Sequence, residues 1–173
     1  MSEIEFASNS QAGQDLWAWE KLGKPNCGIF LDIGCGHPQT INNTYALEKL
    51  GWAGWLVDIG AEPIKLCGEM RSARAICADA TQIDWRALGL GEARVDYLSL
   101  DIDDWTLAAL ENLLRHGVSF RVATIEHDAY RLGDKLRIPE RELLINAGYV
   151  LDRADVFASG YPDFPFEDWW VHV

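Results

Sequence analysis

A Gly-x-Gly turn after an apolar segment is the part of the sequence that most strongly suggests chemistry. Gly34 and Gly36 follow the run Phe-Leu-Asp-Ile at 30–33, which we interpret as a buried strand. In open α/β sheets, ligands bind outside the carboxyl ends of strands, where residues without a Cβ let backbone N–H groups approach them. The turn therefore predicts a small-ligand site, with an ordinary tight strand-to-helix turn as the alternative. It does not complete the dinucleotide pattern G-x-G-x-x-G, because Gln39 takes the third glycine position after Pro38.

Acidic residues follow the other predicted strands. Asp58, Asp79, Asp101 and Glu126 come after the second, third, fourth and fifth apolar runs. Because the carboxyl ends of parallel strands meet at one edge of a sheet, these acids predict an acid-lined cleft. Such a cleft suits a cationic, polyhydroxylated ligand and disfavours a polyphosphate. For Asp79, a helix N-cap is an equally good interpretation.

The elements that would position these residues alternate along the chain. Nearly uniform apolar runs predict strands at Ile29 to Ile33, Trp55 to Ile59, Ala75 to Ala78, Asp96 to Leu100 and Arg121 to Ile125. Amphipathic segments predict helices at Tyr45 to Leu50, Pro63 to Arg71, Trp105 to His116 and Pro139 to Ala147. Pro139 is expected in a first helical turn, and Gly148 just after a helix end. Two final strands, Tyr149 to Val156 and Trp169 to Val173, have no helix between them and predict an antiparallel pair.

Composition places the chain among globular proteins and excludes some partners. It has 173 residues, 49% of them hydrophobic, and a net charge of −12. This charge repels phosphate backbones and anionic lipid, so we expect no nucleic-acid or membrane partner. No apolar run approaches the ~20 residues of a membrane span. The sequence shows no repeat, linker or signal peptide, which predicts one domain over residues 1–173, in the cytoplasm.

The four cysteines match no metal-binding spacing. Cys27, Cys35, Cys67 and Cys77 form neither a CxxC pair nor a Cys/His pattern. In a chain with a cytoplasmic location, we expect them to be reduced thiols in the core.

Several blocks of the sequence, taken together and in order, resemble the FkbM-type methyltransferases. The blocks are Ser10 to Asp15, Phe30 to Gly34, Asn43 to Lys49, Gly51 to Gly54, Tyr97 to Asp103, Glu126-His127, Gly148-Tyr149 and Glu167 to Trp169. The resemblance implies a class I, Rossmann-like, doubly wound α/β fold with a mostly parallel seven-stranded sheet and an antiparallel C-terminal strand. It also implies an S-adenosylmethionine (SAM)-dependent methyltransferase that methylates a hydroxyl of a small molecule or sugar. Residues 1–27 would form an N-terminal segment that covers the cleft.

The resemblance also implies roles for the residues of the glycine turn. Gly34 and Gly36 would pass beneath the methionine part of SAM. Asp32 would organise the loop and the ammonium group of the cofactor.

Other cofactor contacts would come from the next two strand ends. Asp58 would accept the ribose hydroxyls, and Asp79 with Ala80 would border the adenine. The sequence departs from the family where residues 59–61 separate Asp58 from the following acid and proline. Glu62 could therefore replace Asp58 as the ribose partner.

An alcohol acceptor must lose a proton during methyl transfer, which calls for a base or a metal ion. His127 is the candidate base, beside Glu126, and a structural role for both residues is the alternative. Asp101 with Glu126 and His127 also resembles the divalent-metal site of catechol-type O-methyltransferases, although metal use is the minority interpretation. Asp103 occupies the family's second acidic position and is a further candidate for the cleft.

Acceptor recognition is expected in two loops, Asp128 to Ile138 and Phe157 to Asp168. The second is followed or lined by aromatic residues that we expect mostly to pack in the core: Tyr161, Phe164, Phe166, Trp169 and Trp170. A small-molecule acceptor is the expected partner, and the sequence does not indicate the oligomeric state. Two rival functions remain at this point, an NAD-dependent oxidoreductase and a non-catalytic module that binds a cofactor or a partner.

Overall fold

A computed structural model describes residues 6–158, 160–161 and 163–172. The strands are β1 (Ile29–Ile33), β2 (Ala53–Asp58), β3 (Arg74–Cys77), β4 (Arg94–Leu100), β5 (Ser119–Glu126), β6 (Tyr149–Phe157) and β7 (Pro165–His172). The helices are α1 (Gln14–Lys21), α2 (Tyr45–Lys49), α3 (Ala61–Met70), α4 (Thr106–Arg115), α5 (Ala129–Leu132) and α6 (Asp134–Asn146), with a 3₁₀ turn at Asp103–Trp105. Among the described residues, no helix is long and apolar enough to cross a bilayer.

The strands form one seven-stranded sheet in the order β3-β2-β1-β4-β5-β7-β6. β1 to β5 run parallel, whereas β7 is antiparallel to both β5 and β6. This confirms the predicted mixed sheet with a reversed C-terminal strand. The strand order reverses next to β1, so the carboxyl ends of β1 and β4 meet at a topological switch point, where open α/β sheets bind ligands.

The core lies on both faces of the sheet, as the uniformly apolar strands predict. One face packs against α4 and α6, with Leu98, Phe120 and Leu144 at its centre. The other packs against α1 to α3 and includes Phe30 and Tyr97. Successive strand residues alternate between these faces. Trp169 accordingly packs on the face covered by α1 to α3 and Trp170 on the face covered by α4 and α6, and both are almost completely buried.

The beginning of α6 differs from the prediction. The helix starts at Asp134, after Gly133 in a positive-φ conformation, so Pro139 lies in its interior rather than in its first turn. Gly133 separates α5 from α6, and the expected recognition loop from Asp128 to Ile138 is therefore largely helical. Gly148 follows the helix end with φ of 89°, as predicted.

Two of the cysteines also differ from the prediction. Cys35 and Cys67 are buried, whereas Cys27 and Cys77 are exposed and therefore not core residues. Residues 1–5, Ser159, Pro162 and Val173, which fall within the predicted N-terminal segment, second recognition loop and last strand, lie outside the described residues.

Candidate functional site

A cavity of about 450 Å³ lies at the carboxyl ends of β1 to β4. This first cavity is lined by Ile33, Gly34, Val57, Asp58, Ile59, Ala78, Asp79, Ala80, Asp101, Ile102, Asp103 and Trp105. It brings together Gly34 after β1 and three of the four predicted strand-end acids, Asp58, Asp79 and Asp101, whereas Glu126 after β5 does not line it. Its volume is typical of small-molecule sites.

Gly34 lines the floor of this cavity, at a position that only glycine fits. Its φ is 83°, and a Cβ at this position would overlap the backbone carbonyl of Asp101, which ends the neighbouring strand. Its N–H donates to the Val57 carbonyl at 2.8 Å. The turn is thus held between β2 and β4, and both strand ends can approach one ligand.

Asp58 is fixed on the cavity wall by two backbone groups. The Gly36 N–H donates to Oδ2 at 3.1 Å, and the Gly60 N–H donates to Oδ1 at 2.7 Å. Each carboxylate oxygen keeps a further lone pair for a ligand hydroxyl. Gly36 does not line the cavity and acts through Asp58, while Glu62 is exposed in the first turn of α3 and is not part of the cavity wall. The geometry favours Asp58 over Glu62 as a hydroxyl acceptor.

Asp32 lies beneath the glycine turn and does not line the cavity. It accepts a hydrogen bond from Thr44 Oγ1 at 2.7 Å. Burial raises the pKa of Asp32 to about 6, although the Thr44 hydroxyl and the Arg71 guanidinium lower it. This position is consistent with the predicted loop-organising role, while a direct contact with a ligand ammonium would require the carboxylate to reach past the turn.

Arg71 is a residue that the sequence analysis missed. Its buried guanidinium donates to the Pro38 carbonyl at 2.9 Å, to Thr44 Oγ1 at 3.1 Å and to Glu48 Oε2 at 2.7 Å. It therefore ties the segment after the glycine turn to α2. An arginine just beyond a helix end has no sequence signal for this role, since its partners come from distant positions.

Asn42 completes the support of the turn. Its Nδ2 donates to the carbonyls of Cys35 and His37, and its Oδ1 accepts the N–H groups of Thr44 and Tyr45 at the start of α2. One buried amide thus forms hydrogen bonds with backbone groups of both the turn and the start of α2.

Asp79 and Ala80 line the opposite side of the first cavity. Asp79 Oδ1 accepts the N–H and hydroxyl of Thr81 in a turn. The helix N-cap interpretation was wrong, because none of the described residues between β3 and β4 starts a helix. Ile59 and Trp105 also line the cavity and are 75% and 64% exposed. These two apolar side chains were not predicted as site residues. Their signal is a large apolar residue next to, or shortly after, a strand-end acid.

A second cavity of about 470 Å³ lies beside the first, at the ends of β5 and β7. It is lined by Gln11, Glu126, Asp128, Tyr130, Ala158, Tyr161, Phe164 and Phe166. The N-terminal segment thus contributes to the cleft through Gln11. The expectation of core packing holds for Trp169 and Trp170, whereas Tyr161 and Phe164 are exposed cavity residues.

A pair of carboxyl groups lies between the cavities. Asp101 lines the first, Glu126 lines the second, and the two carboxyl groups are close enough to raise the pKa of Glu126. The Asp103 N–H donates to Glu126 Oε2 at 3.1 Å, from a residue with φ of 54°. Burial and the adjacent Asp101 carboxyl raise the pKa of Glu126 well above its ordinary range. At neutral pH the pair therefore shares one proton.

His127 lies away from both cavities. It is completely buried, its Nδ1 accepts the Ala129 N–H at 3.1 Å, and its Nε2 lies 3.4 Å from Asp168 Oδ1 and 3.7 Å from Asp155 Oδ1. Adjacent residues of an extended chain point in opposite directions. Because Glu126 faces the cavities, His127 faces α6, and this geometry favours the structural alternative over the catalytic base.

The predicted metal ligands are not brought together, since His127 points away from Asp101 and Glu126. A different set, Asp103, Glu126 and Asp128, does cluster, with one ligand atom from each within 4.8 Å of the others. However, the Arg131 guanidinium already contacts Asp128 at 2.6 Å and Asp103 at 3.3 Å. A fixed positive charge in this place would repel a metal ion, so these residues do not fit one.

Comparisons with known proteins support the fold. No protein-family profile matches the sequence, and no curated protein matches it. Among solved structures, magnesium protoporphyrin IX methyltransferase (ChlM) from Synechocystis PCC 6803 with bound SAM is 14% identical, with 92% of this chain and 76% of that one covered and a TM-score of 0.64.

Two further structures match over similar lengths. A TehB-like SAM-dependent methyltransferase from Corynebacterium glutamicum is 20% identical, with 92% and 88% of the two chains covered and a TM-score of 0.60. The plantazolicin methyltransferase BpumL, in complex with S-adenosylhomocysteine (SAH), is 15% identical, with 94% and 82% covered and a TM-score of 0.60. The chain therefore has the class I methyltransferase fold.

Proposed function

We propose that this protein is a SAM-dependent methyltransferase that methylates a hydroxyl of a small molecule or sugar. One observation supports this most strongly: the glycine-floored first cavity, with a fixed Asp58 on its wall, lies at the switch point of a class I methyltransferase sheet. The reversed β7 between β5 and β6 distinguishes this sheet from the 3-2-1-4-5-6 order of dinucleotide-binding folds. The oxidoreductase alternative is correspondingly weakened.

The residues of the first cavity fit the cofactor by their chemistry. Asp58 offers lone pairs to two adjacent hydroxyls, as a ribose presents. Ile59, Ala80 and Trp105 offer apolar walls to a flat adenine ring. Gly34 leaves the floor open for the methionine part. The cofactor, when bound, supplies an electrophilic methyl group on a sulfonium.

The proton of the acceptor hydroxyl would pass to the carboxyl pair. Asp101 and Glu126 lie where the two cavities adjoin, and one of their four oxygens is protonated at neutral pH. As the acceptor oxygen bonds to the methyl carbon, Glu126 would take up the hydroxyl proton at its free oxygen and pass its own proton to the Asp101 carboxylate. Asp103 orients Glu126 through its backbone N–H. Holding the acceptor in line beside this base would account for much of the catalysis.

We further propose that the protein is a member of the FkbM-type family. In support, Asp101, Ile102 and Asp103 of the resemblance all line the first cavity, and Asn43 donates to Ser99 Oγ at 3.0 Å, which joins the Asn43 to Lys49 block to the Tyr97 to Asp103 block. The four cysteines are free thiols, which supports the cytoplasm as the proposed compartment. The charge of −12 supports a small-molecule partner rather than a nucleic acid or a membrane.

Calorimetric titration with SAM and SAH tests the cofactor assignment. We expect saturable binding of both, and we expect NADH to produce no competing signal. Absence of SAM and SAH binding, or tighter binding of NADH, would overturn the proposal. An acceptor screen that measures SAH release tests the reaction, and EDTA should leave this release unchanged if the carboxyl pair serves as the base without a metal ion.

A further inference from the structure

Three aromatic rings stand around the second cavity at steep angles to one another. The Tyr130 and Phe164 ring centroids are 5.6 Å apart with an interplanar angle of 89°, and those of Tyr161 and Phe164 are 6.4 Å apart at 64°. The three side chains are 50%, 47% and 61% exposed for Tyr130, Phe164 and Tyr161. Their faces are therefore available to a ligand, unlike those of the buried core rings.

The same cavity has a negatively charged rim. Asp128 lines it, and Asp103 and Asp104 lie nearby because both contact the same guanidinium as Asp128. Three aspartates thus share the single charge of Arg131. An anionic ligand would be repelled from this cavity, and a cationic one would be attracted.

Rings and acids together match one ligand chemistry. The face of an aromatic ring carries partial negative charge and attracts a cation, and several rings around one space are the arrangement that binds methylated ammonium groups. An apolar ligand alone would not benefit from the carboxylates. A neutral sugar would stack on a single ring and would gain nothing from the negative charge.

We propose that the second cavity binds the acceptor through a substituted ammonium group held among Tyr130, Tyr161 and Phe164, beside Glu126 and Asp128. This inference rests on the proposed function, because it takes the second cavity as the acceptor site. The acceptor is then an amine-bearing hydroxyl compound, with its hydroxyl directed towards the carboxyl pair and its cation towards the aromatic rings.

The test uses choline and 3,3-dimethyl-1-butanol, which have nearly the same shape but differ in charge. Dissociation constants are measured by NMR titration of the full chain, with and without SAH. We expect choline to bind about tenfold more tightly or better. The Tyr161→Ala and Phe164→Ala substitutions should each weaken choline binding by roughly 3- to 30-fold, and Tyr161→Phe should retain it.

Phe157→Ala is the matched control. Phe157 is 45% exposed at the end of β6, similar to Phe164, but does not line the cavity. Its substitution should leave choline binding unchanged.

Equal affinities for the two probes, no binding of either, or equal losses in Phe157→Ala and Phe164→Ala would each overturn the inference. SAH titration of the same samples separates the two proposals. Retained SAH binding without a preference for choline overturns the acceptor assignment alone, whereas absent SAH binding overturns the proposed function.

Discussion

The two cavities are built in different ways, although they share one edge of the sheet. The floor and wall of the first depend on backbone geometry: a positive-φ Gly34 against the Asp101 carbonyl, and Asp58 held by two N–H groups. The second depends on side chains from separate segments, among them Gln11, Tyr130 and Phe164. The difference indicates that the fold itself prepares the cofactor half, while the acceptor half is set by residues that can change without altering the sheet.

The carboxyl pair joins these two halves. Asp101 directly follows β4 and its carbonyl lies against Gly34, whereas Glu126 is oriented by Asp103, which starts the 3₁₀ turn in a strained conformation. Substitutions around the first cavity should therefore affect folding and cofactor binding together. Substitutions around the second cavity should affect catalysis while the fold is retained.

The largest expected effect comes from Gly34→Ala. The new Cβ would overlap the Asp101 carbonyl, so β4 or the turn must move. We expect a loss of at least about 3 kcal/mol in the free energy of unfolding. SAH binding should weaken by roughly 100-fold or more. Urea unfolding and calorimetry measure the two effects.

Gly89→Ala is the matched control for this substitution. Gly89 also has a positive φ, 78°, but no atom lies within 4 Å of its added Cβ. It should cost only the conformational strain, about 1 kcal/mol. Similar losses for both variants would show that the contact with Asp101 does not matter.

The second-largest effect is expected from Glu126→Gln, which should separate catalysis from cofactor binding. The amide cannot relay the acceptor proton to the Asp101 carboxylate, so we expect methyl transfer to fall by about 10²- to 10⁴-fold. SAH binding should change little, because Glu126 does not line the first cavity. The variant should be at least as stable as the wild type at pH 8, since the raised pKa of Glu126 means that its charged form disfavours the fold. Unchanged methyl transfer with the acceptor found in the screen would exclude the pair as the base.

The fold was more predictable from the sequence than the site. Uniform apolar runs reveal buried parallel strands whichever face they present, so the sheet and its strand-end acids followed from local pattern. The direction of a side chain at the strand end did not. Glu126 and His127 are adjacent in sequence, yet one faces the cavities and the other a buried group of charges.

Residues whose roles depend on distant partners were also missed. Arg71 acts through contacts with 38, 44 and 48, and Pro139 was assigned to a helix start because Gly133 gave no clear signal of one. The sequence shows many aromatic residues between positions 161 and 170. The side chains of β7 alternate between two packed faces of the sheet, and Trp169 and Trp170 are therefore both buried. This alternation does not extend into the preceding loop, where Tyr161 and Phe164 are exposed.

A smaller effect distinguishes the two candidate ribose partners. Asp58→Asn removes a charged hydrogen-bond acceptor from the first cavity and should weaken SAM binding by about 10- to 100-fold. Glu62→Gln, on the exposed first turn of α3, should leave SAM binding unchanged. Calorimetry on both variants checks the assignment, and the reverse pattern would transfer the ribose contact to Glu62.

The smallest effect tests the interior around Asp168, which contains the buried Glu140 as well as His127. Glu140 in α6 is 3% exposed, and its Oε1 has no hydrogen-bond partner among the described residues. Burial, with a contribution from Asp168, raises the pKa of Glu140 from 4.5 to about 8. The folded chain therefore holds a proton that the unfolded chain releases above its lower pKa, and this contribution to stability is lost as pH rises from about 4.5 through 8.

Glu140→Gln mimics the protonated form and should remove this dependence. We expect the variant to be more stable than the wild type by about 1–2 kcal/mol at pH 8, with a difference below about 0.5 kcal/mol at pH 5. Glu142→Gln, two residues further along the same helix and exposed, should show no pH-dependent difference. Urea unfolding at both pH values measures the effect. If Glu140→Gln shifts stability equally at pH 5 and pH 8, the carboxyl is ionised or solvated in the fold, and burial does not raise its pKa.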